Sequence, residues 1–152
     1  MNPEQLFKKL NYKDQSKAII LFAPENIKSF LTKSDFGNLI KPKFNADSEW
    51  SFLLCFAQNR KELENHIETI LPSINGDVVL WFAYPKKSSK NYYSDINRDN
   101  GWEALGKYNF EPVRQVSIDD DWSALRFRHI SYIKQLKRNP KMLLSVKNQK
   151  AN

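Results

Sequence analysis

Three short apolar runs constrain this fold more than any other feature of the chain. They are AIILFA (18–23), FLLCFA (52–57) and VVLWFAY (78–84). Each is too short for a buried helix, rich in β-branched or aromatic residues, and bounded by Pro, Asn, Asp or Gly. Strands covered by helices on both faces read in this way, because neither face meets water. Segments with helical spacing separate the runs. After the first, Ile27, Phe30 and Leu31 share a face; after the second, Leu63, Ile67, Ile70 and Leu71 do, with Asn59 placed to cap the helix. A third helix is expected to start at Ser94 or Asp95, carry Ile96, Trp102 and Leu105, and stop near Gly106.

Alternation of strand and helix implies βα units and a largely parallel sheet. A weaker strand is expected near 39–44. The end of the domain differs. VRQVSI (113–118) and SALRFR (123–128) are separated only by Asp119–Trp122. A connection so short forces an antiparallel hairpin, since a parallel return takes a dozen or more residues. The expected architecture is a three-layer α/β fold over residues 1–130, mostly parallel, with a C-terminal antiparallel hairpin.

The length of 152 residues suits one such domain, and a 41% hydrophobic content suffices for its core. No apolar stretch is long enough to span a membrane, and the N-terminus MNPEQLFKKL lacks a secretion signal's apolar segment. The single cysteine, Cys55, lies inside an apolar run and has no internal partner, which points to the cytoplasm. The net charge of +7 is unevenly placed. Lys134, Lys137, Arg138, Lys141, Lys147 and Lys150 lie in the C-terminal segment 131–152; the remainder holds 18 basic and 17 acidic side chains. The excess belongs to a basic tail, expected to be partly helical or disordered. Nucleic acid is therefore expected as a partner only weakly, through that tail.

The candidate binding residues lie at strand ends. PKKSSK (85–90) follows the third run, where open α/β sheets bind ligands. Lys86 and Lys87 favour an anion there, and Ser88 offers a hydroxyl to phosphate or carboxylate oxygens. A P-loop would need glycines that this loop lacks, so solvation of a strand exit is the competing account. The first βα turn, Ala23-Pro24-Glu25-Asn26, also has no glycine. Glu25 there would repel a pyrophosphate, whereas Pro24 suits a helix start. The usual dinucleotide cofactors are disfavoured, and no cofactor is expected. Trp122, Arg126 and Arg128 share a parity that places them on one face of a strand. That face could stack and pair with a ligand or a neighbouring subunit, or hold an arginine packed on Trp122 beside an internal acid. Asp119–Asp121 could attract a hard cation, but turn chemistry accounts for them without a metal. His66 and His129 form no metal spacing, and Cys55 reads as a core thiol.

Read together, DVVLWFAYPKKSSK, SDINRDNGW, EPVRQVSIDDDWSALRFR and KLNYKDQSKAIILFAPENI resemble an uncharacterised bacterial domain family. Its marks are an apolar strand ending in Pro-Lys and a terminal DxxWSxxRF-like hairpin; the resemblance implies no catalytic residues. The order of elements also resembles a shortened class I S-adenosylmethionine-dependent methyltransferase, a Rossmann-like fold. That resemblance implies a late antiparallel strand inserted into the sheet and a cofactor over the first strand. The glycine-rich turn of that fold is replaced at 23–26, and Asp47 is the nearest candidate for its ribose-binding acid. The function expected from all this is non-catalytic: binding of a protein partner, a second copy of the chain, or a small anion. A degenerate methyltransferase-like enzyme or a nucleoside-binding protein is the alternative.

Overall fold

The computed structural model describes residues 1–15, 17–133 and Leu144. Six strands form one sheet in the order β2-β1-β3-β4-β6-β5. They are β1 (Ala18–Leu21), β2 (Ile40–Lys41), β3 (Phe52–Phe56), β4 (Val79–Pro85), β5 (Phe110–Ser117) and β6 (Trp122–His129). The three apolar runs are adjacent parallel strands: Ile20 lies beside Leu54, and Leu54 beside Trp81. Strand β2 extends the parallel set on the other side of β1. Strand β6 runs antiparallel to both β4 and β5 and is inserted between them. The hairpin expected from its four-residue connection is present, and the sheet is mixed, mostly parallel α/β.

Each central strand is buried along its whole length, because alternate residues enter two different cores. On one face Ile19, Leu53, Leu80 and Phe127 pack under α3 (Arg60–Ile70) and α4 (Glu103–Gly106). On the other, Ile20, Leu54 and Trp81 pack under α1 (Pro3–Lys9) and α2 (Glu25–Thr32). This is the physical reason the runs show no polar alternation: neither side of the pleat is left to water.

Local signals explain the helix starts. The Asn59 side chain accepts from the Glu62 amide, as its position predicts. Helix α1, which the periodicity did not disclose, carries a reciprocal cap between Asn2 and Gln5 and a proline in its first turn. The expected third helix is much shorter. Only Glu103–Gly106 is α-helical, and 94–102 is irregular. Its apolar residues are instead held by side-chain turns. Ser94 Oγ accepts from the Ile96 amide, Asn97 Oδ1 accepts from the amides of Asp99 and Asn100, and Trp102 Nε1 donates to the Asn97 carbonyl at 2.7 Å. Such Asx turns compete with helix. Asp95 caps a different helix: its Oδ1 accepts from the Arg60 amide at the start of α3. The weak strand near 39–44 is only Ile40–Lys41, preceded by a 3-10 turn at Asp35–Leu39.

Among the described residues, no helix is long and apolar enough to cross a membrane. Most of the basic segment 131–152 lies outside the described residues.

Candidate functional site

Strand order reverses at β1: the chain moves from β1 to β2 on one side and then to β3 on the other. The crevice beyond the carboxyl ends of such strands is where ligands sit in open α/β sheets. Here that turn begins with Phe22, in the left-handed backbone region at φ 59°. A bulky residue in this region costs roughly 1–2 kcal/mol against its usual conformation. The ring is 49% exposed yet stacks on the His66 imidazole of α3, with centroids 4.1 Å apart and planes 4° from parallel. A phenylalanine thus holds the backbone conformation that suits glycine, and its ring joins the end of β1 to α3. Pro24 precedes the first helical turn of α2 and makes no side-chain cap. Glu25 is exposed and, among the described residues, pairs only with Lys28, at 3.4 Å.

Two measurements check this description. Phe22→Gly is expected to be more stable than Phe22→Ala by roughly 1 kcal/mol in urea denaturation, because both lose the stack and only alanine keeps the strain. Glycine is ordinarily the worse of the two, so the usual order would refute strain at this position. Burial lowers the basicity of His66, by more than Glu62 raises it. The fold therefore favours neutral His66. As pH falls through about 6.5, the ordinary value, the unfolded chain takes up this proton first. The contribution is complete above that pH and is lost below it. The stability difference between the wild type and His66→Gln should shrink between pH 7.5 and 5; a constant difference would contradict this.

The more open site lies beyond β4. A groove of about 560 Å³ is lined by Pro85, Lys86, Lys87, Ser89, Lys90, the segment 91–94, Ile96 and Asn97. Three lysines line it, and among the described residues no carboxylate does. A second groove of about 390 Å³ shares Lys86 and Lys87 and adds Arg98, Asp99, Gln115 and Ser123. A third, beside α2, shares Lys86 with Asn26, Asp119 and Asp120. Lys86 thus stands where three depressions meet.

The loop is built rather than slack. The Lys86 amide donates to the Asp121 carbonyl at 2.7 Å, and Lys86 Nζ donates to Ser117 Oγ at 2.6 Å. Asp121 lies below the loop: its carboxylate accepts from Ser89 Oγ at 2.7 Å and from Asn91 Nδ2 at 3.1 Å. Ser89 Oγ in turn accepts from the amides of Asn91 and Tyr92. The serine that organises the loop is Ser89; Ser88 is exposed and does not line the groove. Behind Tyr92 stands Trp122, buried against Phe56 and Tyr92 with ring centroids 5.3 and 5.0 Å away.

The remaining candidates are placed apart from this loop. Arg126 is four residues along β6 from Trp122, about 13 Å away at strand spacing, beside Trp81 in the ladder. Arg128 lies further on and binds Asp77 through Nε at 2.9 Å and Nη2 at 2.5 Å. Trp122 and the two arginines share a sheet face but not one site. Asp119 Oδ1 accepts from the amides of Asp121 and Trp122, the turn chemistry its position predicts. Burial pushes the Cys55 thiol far above its ordinary pKa, which keeps it protonated and unreactive.

No family model and no curated protein matches the chain, and neither comparison supports the resemblance to an uncharacterised bacterial family. Solved structures do match. A protein of the NADB-Rossmann superfamily from Streptococcus agalactiae covers 94% of this chain and 73% of its own length, with 9% identity and a TM-score of 0.50. A Streptococcus pneumoniae protein assigned as a tRNA (m1A22) methyltransferase covers 99% and 85%, with 11% identity and a TM-score of 0.45. The fold is Rossmann-like. That establishes the frame and leaves the chemistry to the sites themselves.

Proposed function

We propose that this chain is a non-catalytic, cytoplasmic binding domain that takes a small anionic ligand in the groove beyond β4. The observation that carries this reading is the lining of that groove by Lys86, Lys87 and Lys90 with no carboxylate among the described residues. A concave surface lined by one sign of charge concentrates ligands of the opposite sign. The loop that presents these lysines is fixed through Asp121, so binding would not have to order it first. Tyr92 and the half-buried Asn97 add hydrogen-bonding groups of the kind that orient a ligand. The first βα turn supports the same reading from the other side. Phe22 occupies the glycine-like conformation, and Glu25 adds negative charge where a cofactor pyrophosphate would come.

One feature favours a methyltransferase-like enzyme as a second reading: the antiparallel insertion of β6 between β4 and β5, which the resemblance to that fold implies. Thermal denaturation of the full chain separates the two. Inorganic phosphate, pyrophosphate, S-adenosylmethionine and S-adenosylhomocysteine would be added at matched ionic strength. A ligand present at 100 times its dissociation constant stabilises by about 2.7 kcal/mol, roughly 5–10 °C for a domain of this size. Protection by pyrophosphate or phosphate alone is the expected result. Protection by S-adenosylmethionine or S-adenosylhomocysteine alone would replace the binding-domain reading with the enzymatic one, and no protection by any of the four would remove the anion site.

A further inference from the structure

The groove beyond β4 is larger than an inorganic anion needs. At about 560 Å³ it has the size of a pocket for a drug-sized molecule, and a phosphate held by Lys86 and Lys87 fills only a small part of it. Its lining also includes the buried Pro85 and Ile96, and Tyr93 and Asn97. Tyr93 is 88% exposed, more than any other large apolar side chain among the described residues. Its side chain makes no hydrogen bond and no ring contact among those residues. The ring therefore contributes little packing to the fold, yet its backbone is held on both sides. Ser89 Oγ accepts from the Tyr92 amide, Tyr92 packs on Trp122, and Ser94 Oγ accepts from the Ile96 amide. Lysines beside an exposed aromatic ring are the combination that binds a phosphate and stacks the base attached to it. Asn97 adds a directed donor. Its Oδ1 accepts from the amides of Asp99 and Asn100, which fixes the side-chain amide, and its Nδ2 has no partner among the described residues. The acids near this loop do not line the groove. Asp95 and Asp121 direct their carboxylates to the Arg60 amide and to Ser89 and Asn91, and Asp99 lines the adjoining depression instead.

We propose that the anion taken by this groove is the phosphate of a nucleotide, with Lys86 and Lys87 on the phosphate oxygens and the base stacked on Tyr93. Asn97 Nδ2 supplies a donor for an acceptor on the base or sugar. The inference rests on the anion-binding reading above and narrows its ligand class. Inorganic phosphate and pyrophosphate engage the lysines alone, whereas a stacked base adds affinity that they lack. Every base has a π-face, so Tyr93 selects nucleotides as a class and not one base among them. A free nucleotide and one unit of a single strand offer the same chemistry.

Isothermal titration of the full chain compares adenosine diphosphate, adenosine and pyrophosphate at matched ionic strength. The diphosphate is expected to bind about tenfold more tightly than pyrophosphate, through the stacking of one base, and adenosine more weakly than the diphosphate. Tyr93→Ala should remove that tenfold advantage and leave pyrophosphate binding unchanged; with the ring so exposed, loss of folding is no concern. Tyr93→Phe keeps the aromatic face and should bind the diphosphate as the wild type does. Equal affinities for adenosine diphosphate and pyrophosphate, or a Tyr93→Ala variant that keeps the full affinity for the diphosphate, would overturn the nucleotide and leave the anion site standing. Binding of neither would remove both. A short single strand of adenylates separates the two sources. Binding tighter than that of the diphosphate, and weakened by Tyr93→Ala, assigns the nucleotide to a strand. Weaker binding, or binding indifferent to Tyr93, assigns it to a free nucleotide.

Discussion

Replacing Trp81 with alanine is expected to destabilise the fold by about 3–5 kcal/mol, the usual cost of removing a fully buried tryptophan ring. Trp81 has no exposed surface and sits in the middle of β4, between Leu54 of β3 and Arg126 of β6. Its indole Nε1 donates to the Leu10 carbonyl at 2.8 Å, at the end of α1. The ring therefore ties the first helix to the central sheet, and the alanine variant leaves both a cavity and an unpaired carbonyl. Trp81→Phe separates the two effects. It keeps most of the volume and loses the hydrogen bond, so its cost should be nearer 1–2 kcal/mol. Urea denaturation of the three proteins measures both differences. If the alanine variant lost under about 1 kcal/mol, the site would have to collapse around the missing ring, contrary to close packing across both cores.

Trp81 also shows why the frame was legible in the sequence. A strand with helices on both faces needs apolar residues at every position, and only such strands read as unbroken apolar runs. The same logic located β3 and β4, and Asn59 located the start of α3 because a side-chain cap is a local signal. The hairpin followed from chain length alone. The segment 94–102 misled because Ile96 and Trp102 are buried without helical geometry. Their burial comes from Asx turns at Asn97 and from Asp95, whose carboxylate caps a helix 35 residues earlier in the chain. Strand β5 begins at Phe110, three residues before its expected start; Pro112 lies within it, next to a register shift and on an edge of the sheet. Proline is tolerated there because an edge position need not donate to a second neighbour.

The site was legible in position and not in detail. That a lysine loop follows a buried strand is evident from PKKSSK. That Asp121 braces it depends on the β4–β6 register, which sets Pro85 opposite Trp122 and so brings residue 121 beside residue 86. Given the hairpin, that pairing was the one available clue to Ser89 and Asn91. Phe22 gave no signal at all, because a phenylalanine closing an apolar run does not announce a left-handed backbone.

Lys86→Ala/Lys87→Ala is the substitution expected to affect binding most, with affinity for pyrophosphate falling on the order of 100-fold. Each lysine that contacts an anion through a charge-assisted hydrogen bond contributes about 1.5–3 kcal/mol, and two such losses reach that factor even at the lower end. Stability should change little, since Lys87 is exposed and Lys86 Nζ, among the described residues, bonds only to Ser117, itself on the surface. The backbone bond from the Lys86 amide to the Asp121 carbonyl survives both substitutions, so the loop keeps its shape. Asp119 and Asp120, which share the depression beside α2 with Lys86, give the experiment a further discrimination. With these two lysines gone, Asp119 and Asp120 oppose any anion that Lys90 still attracts. The double variant should therefore bind more weakly than screening by salt alone makes the wild type. Isothermal titration with pyrophosphate at two salt concentrations reads both quantities. Equal affinity in wild type and variant would place the anion elsewhere and return PKKSSK to a solvated strand exit. A loss of stability equal to the loss of binding would mean that the lysines hold the loop rather than the ligand.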